Sequence, residues 1–95
     1  MIEIKQFNND HKGYFIAYED DKAAGKMTYT YAGEAGIIID HTEVNPEFKG
    51  KNIGKMLVMN AVDYARKNNK KIIPLCPFTK SVFDKVEEIR DVLSK

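Results

Sequence analysis

The chain has a single cysteine, Cys76, and only two histidines, His11 and His41. One cysteine rules out a disulfide within the chain and fits a reducing compartment. Two histidines and one cysteine are too few for a structural zinc site, so no metal is expected. Long apolar runs are also missing, and nothing approaches the roughly 20 residues of a membrane span. The opening Met1-Ile2-Glu3-Ile4-Lys5 alternates apolar and charged residues and does not read as a signal peptide. A cytoplasmic protein without membrane association is the expectation. Charge of one sign is lacking as well. The net charge of +1 argues against a long polyanion such as nucleic acid as the partner. With no repeat, linker or low-complexity stretch, residues 1–95 read as one domain.

What the sequence does contain is a clear change of hydrophobic period. Alternation from Ile2 and Ile4 to Phe7 marks a first strand, and Tyr14 to Tyr18 is an aromatic, β-prone second. Asp20-Asp21 predicts a tight connection. Lys26 to Tyr31 follows as a third strand, with Met27, Tyr29 and Tyr31 on one face. Ile37 to Val44 is a fourth, and its apolar start suggests burial on both faces. From Ile53 the period becomes helical: Ile53, Leu57, Ala61 and Tyr64/Ala65 form one stripe, with Val58 and Val62 beside it. That helix is expected to end near Asn68-Asn69. Lys71 to Cys76 is a short fifth strand stopped by Pro77. Val82, Val86, Ile89 and Leu93 predict one or two closing helices.

The fold class is therefore α+β: a four-strand antiparallel meander followed by α-β-α. The fourth strand, helix and fifth strand form a crossover that places those two strands parallel. Ligands tend to sit at the carboxyl ends of such strands. Here those ends carry His41 to Val44 and Leu75-Cys76.

Between the fourth strand and the helix lies the turn Lys49-Gly50-Lys51-Asn52-Ile53-Gly54-Lys55. A helix start offers unpaired N–H groups and a partial positive charge. Preceded by a strand and a glycine turn, it is a recipe for holding a phosphate. Gly50 and Gly54 allow close approach of an anion, and Lys49, Lys51 and Lys55 add charge. The spacing matches neither the P-loop nor the dinucleotide fingerprint. Arg66, Lys67, Lys70 and Lys71 extend the basic character of the mid-chain, which suggests a small anionic ligand.

Three residues at this edge carry chemistry. Cys76 reads as a small buried hydrophobe or as a nucleophile with comparable weight. His41 is a structural histidine or a general base. Glu43 shares the face of His41 by strand alternation, with Asp40 pointing the other way, and it positions an amine or acts as base. Lys70 and Lys71 follow a helix C-terminus, where the dipole alone favours cations; a peripheral phosphate is their functional alternative.

The segments His41-Thr42-Glu43-Val44, Gly50 to Gly54 and Ile73-Pro74-Leu75-Cys76-Pro77-Phe78 resemble the small single-domain members of the GNAT N-acetyltransferase superfamily. The resemblance covers most of the chain and implies the minimal GNAT fold and a site for acetyl coenzyme A or coenzyme A. The superfamily turn Gln/Arg-x-x-Gly-x-Gly/Ala corresponds to Lys49-Gly50-Lys51-Asn52-Ile53-Gly54. Lys49 stands in place of Gln/Arg, and Asn52 in place of the first glycine. By the same analogy, N–H groups from Lys51 to Lys55 hold the pyrophosphate. Strand four near Thr42 to Val44 pairs with the pantetheine arm, and the thioester lies near Cys76. The implied function is transfer of an acetyl group to an amine, directly or through Cys76. The acceptor is a small-molecule or peptide amine, with a protein partner as one way to complete its site. Two other readings stand beside it: a coenzyme A-binding module with little or no catalysis, and a nucleic-acid-binding domain using the basic residues.

Overall fold

The computed structural model describes residues 1–94. Five strands form one sheet in the order of the chain: β1 (Ile2–Asn8), β2 (Lys12–Glu19), β3 (Lys22–Ala32), β4 (Gly36–Val44) and β5 (Lys71–Pro74). The first three pairings are antiparallel and β4–β5 is parallel. Helix α1 (Ile53–Lys67) crosses between β4 and β5, and α2 (Pro77–Lys85) follows β5. Short 3₁₀ turns occupy Pro46–Phe48 and Glu87–Val92. The meander, the crossover and the parallel pair are those the sequence predicts.

Among the boundaries that differ from expectation, those of β3 and β5 have a clear cause. β3 begins at Lys22 because the reversal is confined to Asp20 and Asp21, both with positive φ (48° and 69°). That conformation turns a two-residue hairpin without splaying its strands. β5 ends at Pro74, two residues early. The N–H groups of Leu75 and Cys76 both turn to one acceptor, the Ile39 carbonyl, at 3.2 and 3.1 Å. The parallel ladder cannot advance past that shared oxygen. Cys76 therefore lies at the N-cap of α2, with Pro77 opening the helix, where a missing N–H costs nothing.

The helices pack on one face of the sheet. Phe15, Met27, Tyr29, Ile37 and Ile39 are buried there against Ile53, Leu57, Val58, Ala61, Val62 and Ala65 of α1. The apolar stripe read from the sequence is the face α1 buries. The other sheet face carries no helix among the described residues. It presents Phe7 stacked on Tyr14 at 5.2 Å, with Lys26 Nζ 4.5 Å above the Tyr14 ring.

A bulge in β4 corrects the simple alternation. Thr28 pairs with His41 but Tyr29 pairs with Ile39, leaving Asp40 as the extra residue. Its carboxylate accepts a hydrogen bond from Thr30 Oγ1 at 2.8 Å, on the helix-free face. Asp40 thus lies on the same side as His41, not opposite it. The inserted residue also reverses the parity of the strand beyond it. Thr42 now sits opposite buried Met27, and Val44 opposite Gly25. A Cβ on Gly25 would meet Ile53 and Leu57, so Thr42 and Val44 face the helices.

Candidate active site

Because β5 stops pairing at Ile39, the edge of β4 from Asp40 to Val44 has no strand beside it on that flank among the described residues. On its other flank β4 stays paired with β3 as far as Val44. The sheet is therefore split on one side of β4, and the start of α2 stands at the mouth of the split. This leaves a row of backbone donors and acceptors facing a gap, the pattern to which an extended amide-containing ligand adds.

The turn after β4 closes the gap at one end. Asn45 Oδ1 accepts from the Glu47 N–H at 3.1 Å, Pro46 opens the 3₁₀ turn, and Phe48 is buried as its anchor. Gly50 and Asn52 both adopt positive φ (87° and 61°). Asn52 occupies the left-handed region, which asparagine tolerates better than most residues. It is the N-cap of α1 but makes no side-chain cap bond. The first helical bond runs from the Met56 N–H to the Asn52 carbonyl at 3.0 Å. The N–H groups of Ile53, Gly54 and Lys55 have no partner among the described residues. Three free donors at the positive end of a 15-residue helix form an anion cradle.

A groove of about 380 Å³ runs from this cradle along α2. Val44, Phe48, Phe78, Val82 and Val86 supply its apolar walls, and Lys49, Lys55 and Lys85 lie at its margins. Lys51 is drawn away: its Nζ bonds Glu19 at 3.1 Å. The mid-chain basic residues do not form one patch. Arg66 binds Asp91, and Lys70 and Lys71 donate to the carbonyls of Glu34 and Asp91. These sit at the far end of α1, roughly 22 Å from the cradle at the helical rise per residue.

Cys76 is buried at the start of α2, outside the residues that line this groove. Burial pushes its thiol up. Hydrogen bonds from the Thr79 N–H, the Thr42 hydroxyl, the Phe78 N–H and the Thr79 hydroxyl outweigh that effect and hold it below the ordinary thiol value. Thr42 and Thr79 also approach each other at 3.5 Å between hydroxyl oxygens. Thr79 is fully buried yet polar, and the neighbouring Thr42 hydroxyl supplies the partner its burial requires. The combination of helix N-terminus and hydroxyl donors is one that favours a thiolate.

His41 and Glu43 are together, with Nε2 and Oε1 3.1 Å apart. Both face the helix-free side, across β4 from Thr42 and Cys76. The structure thus places Val44 in the groove wall, sets Thr42 and Cys76 beside each other at the start of α2, and leaves His41 and Glu43 behind the strand. Nothing in the sequence singles out Thr79, Ser81 or Lys85. Only the helical spacing of Val82 and Val86 hinted that this face of α2 would meet anything.

The fold and site define a split-sheet α+β protein with an anion cradle at the start of its crossover helix. The sequence matches the GCN5-related N-acetyl-transferase family over residues 13–92, and the chain belongs to that family. A search of curated proteins finds no significant match. A GCN5-like protein from Staphylococcus aureus, solved by NMR, is 36% identical with a TM-score of 0.71, over 97% of this chain and 87% of that one. The ribosomal-protein-alanine N-acetyltransferase of Brucella melitensis biovar Abortus 2308 has the same fold (TM-score 0.71, 18% identity). The match covers 82% of this chain and 62% of the Brucella enzyme. An aminoglycoside N-acetyltransferase solved with coenzyme A also shares the fold (TM-score 0.64, 15% identity, 87% and 88% covered).

Proposed function

We propose that the protein is an N-acyltransferase that binds acetyl coenzyme A and transfers its acetyl group to an amine. The observation that carries this reading is one groove that reaches from the three free N–H groups of α1 to Val44, the last residue of the unpaired β4 edge. The residues present fit such a ligand. The N–H groups of Ile53, Gly54 and Lys55 suit a pyrophosphate, with Lys49, Gly50, Lys51 and Asn52 shaping the turn around it. The β4 edge from Thr42 to Val44 suits the amides of an extended arm, and the walls formed by Phe48, Phe78 and Val82 suit its methylenes. Bound there, acetyl coenzyme A supplies an activated acyl group.

The protein's own contribution is positional and acid–base. A β4 N–H beside the split stabilises negative charge developing on a carbonyl oxygen. Cys76, held toward its thiolate, is the nucleophile of a two-step transfer. The acceptor amine enters from the helix-free face, beside His41 and Glu43. With Nε2–H donated to Glu43, Nδ1 of His41 carries the free lone pair that takes a proton. The acceptor is a small-molecule or peptide amine, and a cytoplasmic setting agrees with an unpaired, electron-rich thiol.

Titration calorimetry with coenzyme A and acetyl coenzyme A tests the binding, and intact mass tests the route. Saturable binding plus one acetyl group mapping to Cys76 is the expected result. Binding without a mass change, accompanied by turnover of amines in Cys76→Ala, replaces the two-step route by direct transfer. Binding with no turnover on any amine reduces the protein to a coenzyme A-binding module. No binding of either ligand removes the reading.

A further inference from the structure

The far edge of the sheet is formed by β1, three strands away from the split beside β4. β1 pairs only with β2 among the described residues, so its outer row of N–H and C=O groups is free. Such an edge invites another strand unless its side chains prevent it. The side chains of β1 do the reverse for one particular guest, a second copy of β1.

Register in β1–β2 fixes the faces. Ile2, Ile4 and Gln6 stand opposite Glu19, Ala17 and Phe15, on the helix side; Glu3, Lys5 and Phe7 stand opposite Tyr18, Ile16 and Tyr14, on the helix-free side. Two antiparallel copies related by a two-fold axis perpendicular to the sheet place like faces together. The axis must then pass through one residue of each strand. Centred on Glu3, the register opposes Glu3 to Glu3. Centred on Lys5, it opposes Lys5 to Lys5. Centred on Ile4, both charged pairs are complementary: Glu3 of each copy meets Lys5 of the other, Ile4 meets Ile4, and Met1 meets Phe7. Within one chain Glu3 and Lys5 touch only loosely, at 3.7 Å, with side chains 70% and 55% exposed. Met1 and Phe7 are large apolar side chains left exposed in the single chain. Opposite charges directly across a ladder stabilise it and like charges weaken it.

The helix side of the same edge carries an apolar strip with a polar rim. A groove between β1 and α1 is lined by Ile4, Met56 and Met59, with Asn52, Lys55, Asn60 and Asp63 at its rim. Met56 is 39% exposed there. Pairing at Ile4 brings two such strips together over the new strand junction.

We infer that the protein forms a two-fold dimer through antiparallel β1–β1 pairing centred on Ile4, which joins two five-stranded sheets into one. Sedimentation equilibrium over a concentration series tests it. The wild-type protein is expected to rise to twice the monomer mass. Glu3→Lys leaves only lysines facing each other at both charged pairs, and Lys5→Glu leaves only glutamates. Each single variant should therefore dimerise at least roughly ten-fold more weakly. The double exchange Glu3→Lys/Lys5→Glu should restore the wild-type affinity. Mixing the two single variants should produce a heterodimer, because lysine then meets glutamate at both pairs. Circular dichroism of each variant checks that the fold is kept. A wild-type protein that stays monomeric overturns the proposal. Single variants that dimerise as well as wild type overturn this interface, whatever the stoichiometry.

Discussion

A Cβ built on Gly54 would stand 2.7 Å from Cζ of Phe78. The second residue of α1 and the second residue of α2 therefore touch ring to backbone, and this contact roofs the anion cradle. Gly54→Ala should push the ring aside, and Gly54→Asp should add a negative charge where an anion is meant to bind. Coenzyme A affinity measured by calorimetry is expected to fall modestly in the first and by roughly ten-fold or more in the second. An unchanged affinity in Gly54→Asp would place the phosphates elsewhere.

Asn52 holds the left-handed conformation that opens α1. Asn52→Gly should be close to neutral in thermal stability and should leave coenzyme A binding intact. Asn52→Val should cost about 1–2 kcal/mol, since a β-branched residue is strained at this φ. Denaturant melts of the pair separate backbone strain from any loss of side-chain contact, because the asparagine makes no cap bond.

The thiol of Cys76 is held low against its own burial, by donors that include the hydroxyl of Thr42. Alkylation by iodoacetamide should therefore reach half its maximal rate at a lower pH than for an unperturbed cysteine. Thr42→Val removes a donor without changing shape, so its pH–rate curve should move to higher pH. The linkage has the corresponding sign. Stability contributed by thiolate formation is present above the unfolded thiol's pKa and lost as pH falls through the folded one. Coincident curves for wild type and Thr42→Val would remove the hydroxyl from the account.

Arg66 binds Asp91 through two nitrogens, at 3.0 and 2.7 Å, and the Glu88 carbonyl at 2.9 Å. The hydrogen bond to Arg66 holds the Asp91 carboxyl below its ordinary value, and the pairing with Asp91 raises Arg66. The pair is exposed, so the effect on global stability is small. Its stabilisation is present above the unfolded carboxylate's pKa and lost as pH falls through the depressed folded value. Arg66→Ala should speed amide hydrogen exchange in Glu87–Val92, above all at Ile89 and Val92, with little change at Leu57 or Val58. Uniform acceleration across α1 would mean that the clamp supports the whole core.

Where local pattern decides structure, the sequence is readable. Ile53, Leu57 and Ala61 announce the buried face of α1, and Asp20-Asp21 announce the turn whose positive φ they adopt. The cradle is legible for the same reason, since Gly50 through Lys55 are neighbours in the chain. What escaped reading depends on distant partners. The bulge at Asp40 depends on what β3 presents, including the Thr30 hydroxyl. It turns Thr42 toward the helices and leaves His41 with Glu43 behind the strand. Lys51 looks free until Glu19, across the β2–β3 turn, claims it. Phe78 meets Gly54 only because β5 gives way early, and no periodicity records that.

The Ile39 carbonyl that accepts from both Leu75 and Cys76 makes the passage from β5 to α2 intolerant of length change. One residue added between Pro74 and Pro77 would break the shared bonding to Ile39 and displace the start of α2, carrying Cys76 away from Thr42 and Phe78 away from Gly54. At the β3–β4 connection Gly33 is exposed with open space around it, and only the Glu34 and Ala35 carbonyls are held, by Lys70 and Lys71. Insertions and deletions among relatives should therefore collect at the β3–β4 turn and be absent from the three residues that link Pro74 to Phe78.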